Sequence, residues 1–311
     1  MTPPGTRPST PPAPFPTGAQ YEITAGEVSA VVCEIGATLR TLTVGDHHLV
    51  HGFGADEVID KACRGQQLLP WPNRIRDGRW TWQDVEQQLP LSEPERGTAI
   101  HGLVRWVAWD LVDHGLDQVT QRLVLRPQHG WPGTLEITLT HRVDRTGLTV
   151  ELLVTNPSEV DVPFGYGVHP YLSVGEDRID EVELQLPAGA YLTVDDRLLP
   201  ISVEPVDADH DLRTPRLVDD LSLDTAFTQL ESEAGRWEVR LRKGERHTTL
   251  WADDVFGWLQ VFTGEPTRQW GLAVEPMTCG PDAFNPGPTH DDLIVLRPRG
   301  RFAGSWGITG A

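Results

Sequence analysis

Leu135-Glu136-Ile137-Thr138-Leu139-Thr140-His141-Arg142-Val143-Asp144-Arg145-Thr146-Gly147-Leu148-Thr149-Val150-Glu151-Leu152-Leu153-Val154-Thr155 is the stretch whose reading decides the fold. Apolar side chains at 135, 137, 139 and 143 alternate with polar ones. A period of two places one set on a single face of an extended strand. Thr146-Gly147 supplies a turn, and a second strand-forming run follows it over 148–155. The same grammar extends outward in both directions. Toward the N-terminus, strands are expected over 28–35, 39–44, 78–84, 106–112 and 121–125. Toward the C-terminus they are expected over 182–186, 237–241, 248–251, 258–263, 272–275 and 301–308. Asp77-Gly78, Pro132-Gly133 and Asn156-Pro157 punctuate them as turns. No stretch keeps helical periodicity for three turns, and short helical pieces are expected only near 57–63 and 281–284. Many short strands with regular turn signals predict an all-β antiparallel sandwich or barrel.

Residues 1–18 carry seven prolines spaced by Thr, Ser and Gly. Such a segment buries too little apolar surface to offset its ordering entropy, so a disordered Pro-rich tail is expected over 1–18. One domain is expected over 19–311, because no linker interrupts the pattern. The polar, irregular stretch 195–220 reads as a long excursion over the surface.

The 311 residues are 39% hydrophobic, enough for a real core, and the formal net charge is −19. That charge argues against phosphate backbones and anionic membranes as partners. No run of about 18 apolar residues exists, and the N-terminus lacks the basic and apolar regions of a signal peptide. Cys33, Cys63 and Cys279 show no C-x-x-C spacing, and free thiols fit a reducing cytoplasm.

Two residues stand out as a candidate acid/base pair. His169 sits in Gly165-Tyr166-Gly167-Val168-His169-Pro170-Tyr171, where the glycines would allow close backbone approach to a ligand. Glu275 follows the apolar run Leu272-Ala273-Val274. An imidazole and a carboxylate facing one substrate can move protons both ways near neutral pH. Each also has a plain structural reading. A single histidine is more often structural than catalytic, and Glu275 could be an exposed glutamate turned into a loop by Pro276. Asn73 and Arg74 lie in Pro70-Trp71-Pro72-Asn73-Arg74-Ile75 beside Trp80 and Trp82, offering donors for hydroxyls and faces for a pyranose. Taken alone, they read more simply as a surface arginine beside core tryptophans. His101, Asp224 and Gln260 are further polar residues near strands and can each be structural. His47, His48 and His51 read as a solvated turn, and H-E-x-x-H, G-x-S-x-G and the nucleotide-binding glycine loops are absent.

Taken in order, P-N-R-I, H-G, G-x-x-H-P-Y, L-D-x-x-F, Q-x-x-T and V-E-P over roughly residues 20–308 resemble the aldose 1-epimerase (mutarotase) family. The resemblance implies a large antiparallel β-sandwich with an open sugar cleft and an isomerase that interconverts the anomers of an aldose. It implies His169 as general acid and Glu275 as general base. Sugar contacts would fall to Asn73, Arg74, His101, Asp224 and Gln260, with Tyr171 as aromatic neighbour of the acid. No metal or organic cofactor is implied. The partner would be a small sugar: a free aldose, a sugar acid or a phosphosugar. Galactose-type members usually carry a serine after the histidine, where this chain has Pro170. Their base usually lies in L-E-T, where this chain has Val274-Glu275-Pro276-Met277. Some relatives act on hexose 6-phosphates or sulfoquinovose, and Arg76 or Arg79 could meet such an anion. Two other readings remain at this point: a glycoside hydrolase using Asp224 with Glu275, and a non-catalytic carbohydrate-binding sandwich.

Overall fold

The computed structural model describes residues 15–58, 62–175, 178–264 and 271–311. The deciding stretch forms the hairpin expected of it. Leu135–Asp144 pairs antiparallel with Gly147–Thr155, in register from Glu136 opposite Thr155 to Asp144 opposite Gly147. Leu135, Ile137, Leu139, His141 and Val143 are all buried, while the residues between them are half-buried or exposed. This hairpin lies within a nine-stranded antiparallel sheet. From edge to edge its strands are Asp110–His114, Gln118–Leu125, the two hairpin strands, Arg301–Gly310, Arg246–Asp253, Arg236–Lys243, Glu183–Gln185 and Arg216–Leu217.

A second sheet of eight strands runs Pro200–Pro205, Ala188–Val194, Asp224–Leu230, Trp258–Phe262, Leu272–Met277, Gly167–Val168 and Gln67–Leu68, with Tyr171–Leu172 also pairing to Leu272–Met277. A four-stranded sheet holds Gln20–Ala25, Val28–Cys33, Leu39–Val44 and His47–His48. One apolar cluster joins all three: Ile137 and Val150 from the large sheet, Val261 and Val274 from the second, Val32 and Leu42 from the third. Each fully buried aliphatic side chain contributes about 1.5–3 kcal/mol through removal from water, and this shared core is what fixes the sheets against one another. Among the described residues no helix is long and apolar enough to cross a membrane.

Several expectations need correction. The stretch 195–220 is not a loose excursion. Pro200–Pro205 pairs with Ala188–Val194, and Leu199 and Leu212 are fully buried anchors too widely spaced to register as a pattern. The strand expected over 106–112 starts later, at Asp110, because a turn closes at Val107 through its N–H to the carbonyl of Val104. Residues 281–284 form turns rather than a helical piece, and the one expected over 57–63 lies partly outside the described residues. His47 and His48 end a ladder against Thr43 and Val44 instead of lying in a loop. Residues 1–14 of the expected tail lie outside the described residues. Thr17, however, is buried, and its carbonyl accepts the N–H of Ile35, so packing begins before residue 19.

Candidate active site

Backbone pairing brings His169 and Glu275 together. Gly167 pairs with Met277, and Tyr171 pairs with Ala273. Counting inward along two antiparallel segments sets His169 opposite Glu275. The His169 backbone is held on its other side: its N–H donates to the carbonyl of Gln66, and its own carbonyl accepts the N–H of Gly65. Pro276 does not end the strand, which runs to Met277, so Glu275 is buried in mid-strand and not turned into a loop. Gly165 and Gly167 serve packing. A Cβ at Gly165 would meet the sulfur of Cys279 at 2.4 Å, and one at Gly167 would meet Pro72 Cβ at 2.8 Å. Their lack of a side chain lets the histidine strand lie against these neighbours.

His169 Nε2 is 3.2 Å from Glu275 Oε1. The other atom of each group, His169 Nδ1 and Glu275 Oε2, is buried without a hydrogen-bond partner. Orphaned buried polar atoms are costly in a finished core and call for an explanation. Tyr171 stacks on the imidazole with centroids 5.2 Å apart, and His101 meets it edge-on at 5.3 Å. Burial pushes the Glu275 carboxyl well up, aided by the nearby negative charge of Asp224 and opposed by Arg74. Burial lowers His169 to about 3, with Arg105 adding to that shift. Burial in the pair therefore disfavours charge on both partners.

Around the pair runs a directed chain of hydrogen bonds. The Arg74 N–H and Nη1 donate to Asn73 Oδ1 at 3.0 and 3.3 Å, Asn73 Nδ2 donates to Gln260 Oε1 at 3.3 Å, and Gln260 Nε2 donates to Asp224 Oδ1 at 2.7 Å. Cross-strand pairing explains it: Gln260 lies opposite both Ala226 and Glu275, so these residues share one sheet face with Asp224. Burial raises the Asp224 carboxyl, against the pull of Arg74 and Arg96. All six residues expected around the pair are thus gathered within this contact network. Arg74 differs in detail from its expected role. Its Nε and Nη2 grip Glu93 at 2.8 and 3.0 Å, so the donor fork is held by a carboxylate. Glu93 also accepts from Arg96 and Thr98. Burial pushes the Glu93 carboxyl up, and these bonds outweigh it, leaving it below its usual range. Sequence reasoning missed Glu93, which sits in the charged turn Ser92-Glu93-Pro94-Glu95-Arg96 and carries no periodic signal. It also missed Arg105, buried with Nη1 3.0 Å from Cys63 Sγ and 3.2 Å from Gln66 Oε1.

Arg76 and Arg79 have protein partners: Arg76 Nε faces Asp282 Oδ2 at 3.4 Å, and Arg79 Nε donates to Gln88 Oε1 at 2.9 Å. Elsewhere, two grooves of about 450 and 570 Å³ lie on the outer face of the nine-stranded sheet among Arg236, Glu238, Arg240 and Arg242. Solvated residues of alternating sign line both grooves.

The family model for aldose 1-epimerases matches residues 19–305. The chain is 34% identical over 284 residues to the uncharacterized protein YihR of Escherichia coli (strain K12), covering 90% of this chain and 89% of that one. It is 27% identical over 217 residues to the galactose mutarotase of Rattus norvegicus, covering 63% and 60%. A galactose mutarotase-like protein from Clostridium acetobutylicum shares the fold with a TM-score of 0.81, at 14% identity and over 93% of this chain and 94% of that one.

Proposed function

Because this chain belongs to the aldose 1-epimerase family, we propose that it interconverts the α and β anomers of a free aldose, with His169 and Glu275 as its proton-transfer pair. The observation that carries this reading is the opposed, buried His169–Glu275 contact with an unpartnered atom left on each side. One group takes the proton of the C1 hydroxyl while the other protonates the ring oxygen. The C1–O5 bond breaks, an open-chain aldehyde forms, rotation about C1–C2 presents the other carbonyl face, and the transfers reverse. With Glu275 ionised, it is the base and His169 the acid. A single positioned transfer contributes about 10²–10⁴-fold.

The pair works in its one-proton form, whichever atom holds the proton. A second proton, bound at low pH, removes the base; loss of the last, at high pH, removes the acid. The bell-shaped profile therefore belongs to the pair and not to either residue alone. Asp224, Gln260, Asn73, His101 and the remaining N–H groups of Arg74 would hold the sugar hydroxyls, and Tyr171 would wall the imidazole. The protein partners of Arg76 and Arg79 favour a neutral aldose over a sugar acid or phosphosugar. We assign the protein to the cytoplasm, in keeping with three buried cysteines that form no disulfide.

The test is anomer exchange measured by NMR on α-glucose, α-galactose and a non-reducing disaccharide. Exchange proportional to enzyme concentration on a free aldose, with the disaccharide intact, is expected. Cleavage of the disaccharide would indicate a hydrolase. Binding without exchange across a wide aldose panel would indicate a carbohydrate-binding protein.

A further inference from the structure

Asn73 and His101 face one another just beyond the short ladder that pairs Arg74 with Ile100. Both have left-handed backbones, with φ of 52° and 61°. Side chains seldom adopt that region, although Asn and His do so more readily than most. Gly102 follows with φ of 71°, where a Cβ would meet the carbonyl oxygen of Leu69 at 2.0 Å. The outcome is a two-way latch. The His101 N–H donates to the Asn73 carbonyl at 2.9 Å, and the Asn73 N–H donates to His101 Nδ1 at 3.2 Å.

A backbone N–H has no lone pair and can only donate. His101 Nδ1 must therefore be the unprotonated nitrogen, and the neutral ring carries its hydrogen on Nε2. Protonating Nδ1 would set two hydrogens against each other in a buried space. Nε2 has no hydrogen-bond partner among the described residues. One nitrogen of His101, one of His169 and one carboxylate oxygen of Glu275 all lie within 4.8 Å of one another.

We propose that the left-handed backbone of Asn73 locks His101 as an Nε2–H tautomer. His101 then acts as a fixed hydrogen-bond donor to a sugar oxygen at the reacting end, leaving His169 as the only histidine that carries the transferred proton. This rests on the proposed mutarotase reading for its purpose but not for its geometry. Asn73 is in this respect a positioning residue, acting through its main chain. The lock also decides a second question. Two histidines and a glutamate so close resemble a zinc ligand set, but a metal needs a lone pair. The lone pair of His101 is already taken by the Asn73 N–H, and Nε2 has none to offer. The cluster is built for proton transfer, with His101 outside any ligand set.

The test is long-range proton–nitrogen correlation NMR on the full chain labelled in its histidine rings, with His101→Gln used to assign the His101 signals. The expected result is an unprotonated Nδ1 and a protonated Nε2, unchanged from about pH 8 to about pH 5 while exposed histidines titrate near their usual 6.5. An Nδ1–H tautomer, or titration of His101 inside that window, would overturn the proposal. Asn73→Gly keeps the N–H and suits a positive φ, so it should keep the tautomer; loss of the tautomer there would show that the backbone is not the lock. Zinc added to the wild type should leave the His101 signals unmoved. A saturable shift of those signals would show that the lone pair is free. All of these readings are taken without turnover. Failure of anomer exchange would therefore overturn the proposed function and leave the lock standing.

Discussion

The Leu135–Thr155 hairpin and the strands Trp258–Phe262 and Leu272–Met277 obey opposite rules. In the hairpin, burial alternates, the inward set is almost wholly apolar and the pairing is long and regular. Around the candidate site the strands are short, Leu272–Met277 is buried on both faces, and the buried set includes Gln260, Glu275, His169, Asn73 and Arg74. Two of the site's residues, Asn73 and His101, also hold left-handed backbones. The first region stores stability. The second uses that stability to hold polar groups that water would otherwise claim. The comparison predicts that substitutions in the hairpin change stability alone, whereas those around the pair change stability and chemistry together.

Arg74→Ala should show the largest combined effect. It leaves Glu93 buried without its main partner, where breaking such a pair costs about 3–5 kcal/mol. It also removes one end of the hydrogen-bond chain to Asp224. We expect both a lower urea midpoint and a raised KM for a neutral aldose; a changed KM with an unchanged midpoint would mean the Glu93 pair bears no stability. Leu139→Ala, in the fully buried set of the hairpin, should cost about 2–5 kcal/mol while kcat and KM of the folded fraction stay at wild-type values. A changed KM would erase the distinction between the two regions.

His141→Leu sharpens the comparison from the other side. His141 is the one polar side chain in the inward set of its strand, it is fully buried, and neither ring nitrogen has a partner. Burial lowers it to about 3. Below about pH 6.5 the unfolded chain binds a proton there that the folded chain refuses, so stability falls as pH drops toward 3. His141→Leu should add about 1 kcal/mol at pH 7 and flatten the acid slope by up to about 1.4 kcal/mol per pH unit. Urea midpoints at pH 7 and pH 5 read both. An acid slope equal to wild type would show that His141 is charged in the folded state. The smallest effect is expected from deleting residues 1–14. If that segment is a solvated tail, the melting temperature and anomer exchange should not move; a fall of several degrees would mean it docks.

The strands of the hairpin were legible because alternation and burial coincide there. At Leu272-Ala273-Val274-Glu275 the run was visible, but Pro276 suggested a stop. The strand continues through Pro276, which lies opposite Leu259 in the ladder, a register that no local signal reveals. His169 and Glu275 could be named from their short motifs, yet their contact depends on two strands of two residues each. Their titration could not be anticipated either, since desolvation is a property of the assembled fold. Glu93, which holds Arg74, was invisible because its partner lies 19 residues back, beyond the hairpin of Arg79 to Gln88, and no periodicity links them.

The central claim is that His169 and Glu275 share one proton and act as a unit. It is tested most directly by NMR anomer exchange on one aldose with wild type, His169→Asn, Glu275→Gln and the double variant, all with matched far-UV spectra. Each single variant should lose about 10²-fold or more in kcat, and the double should be little worse than the worse single. Wild-type exchange in either single variant, or losses that multiply in the double, would contradict it.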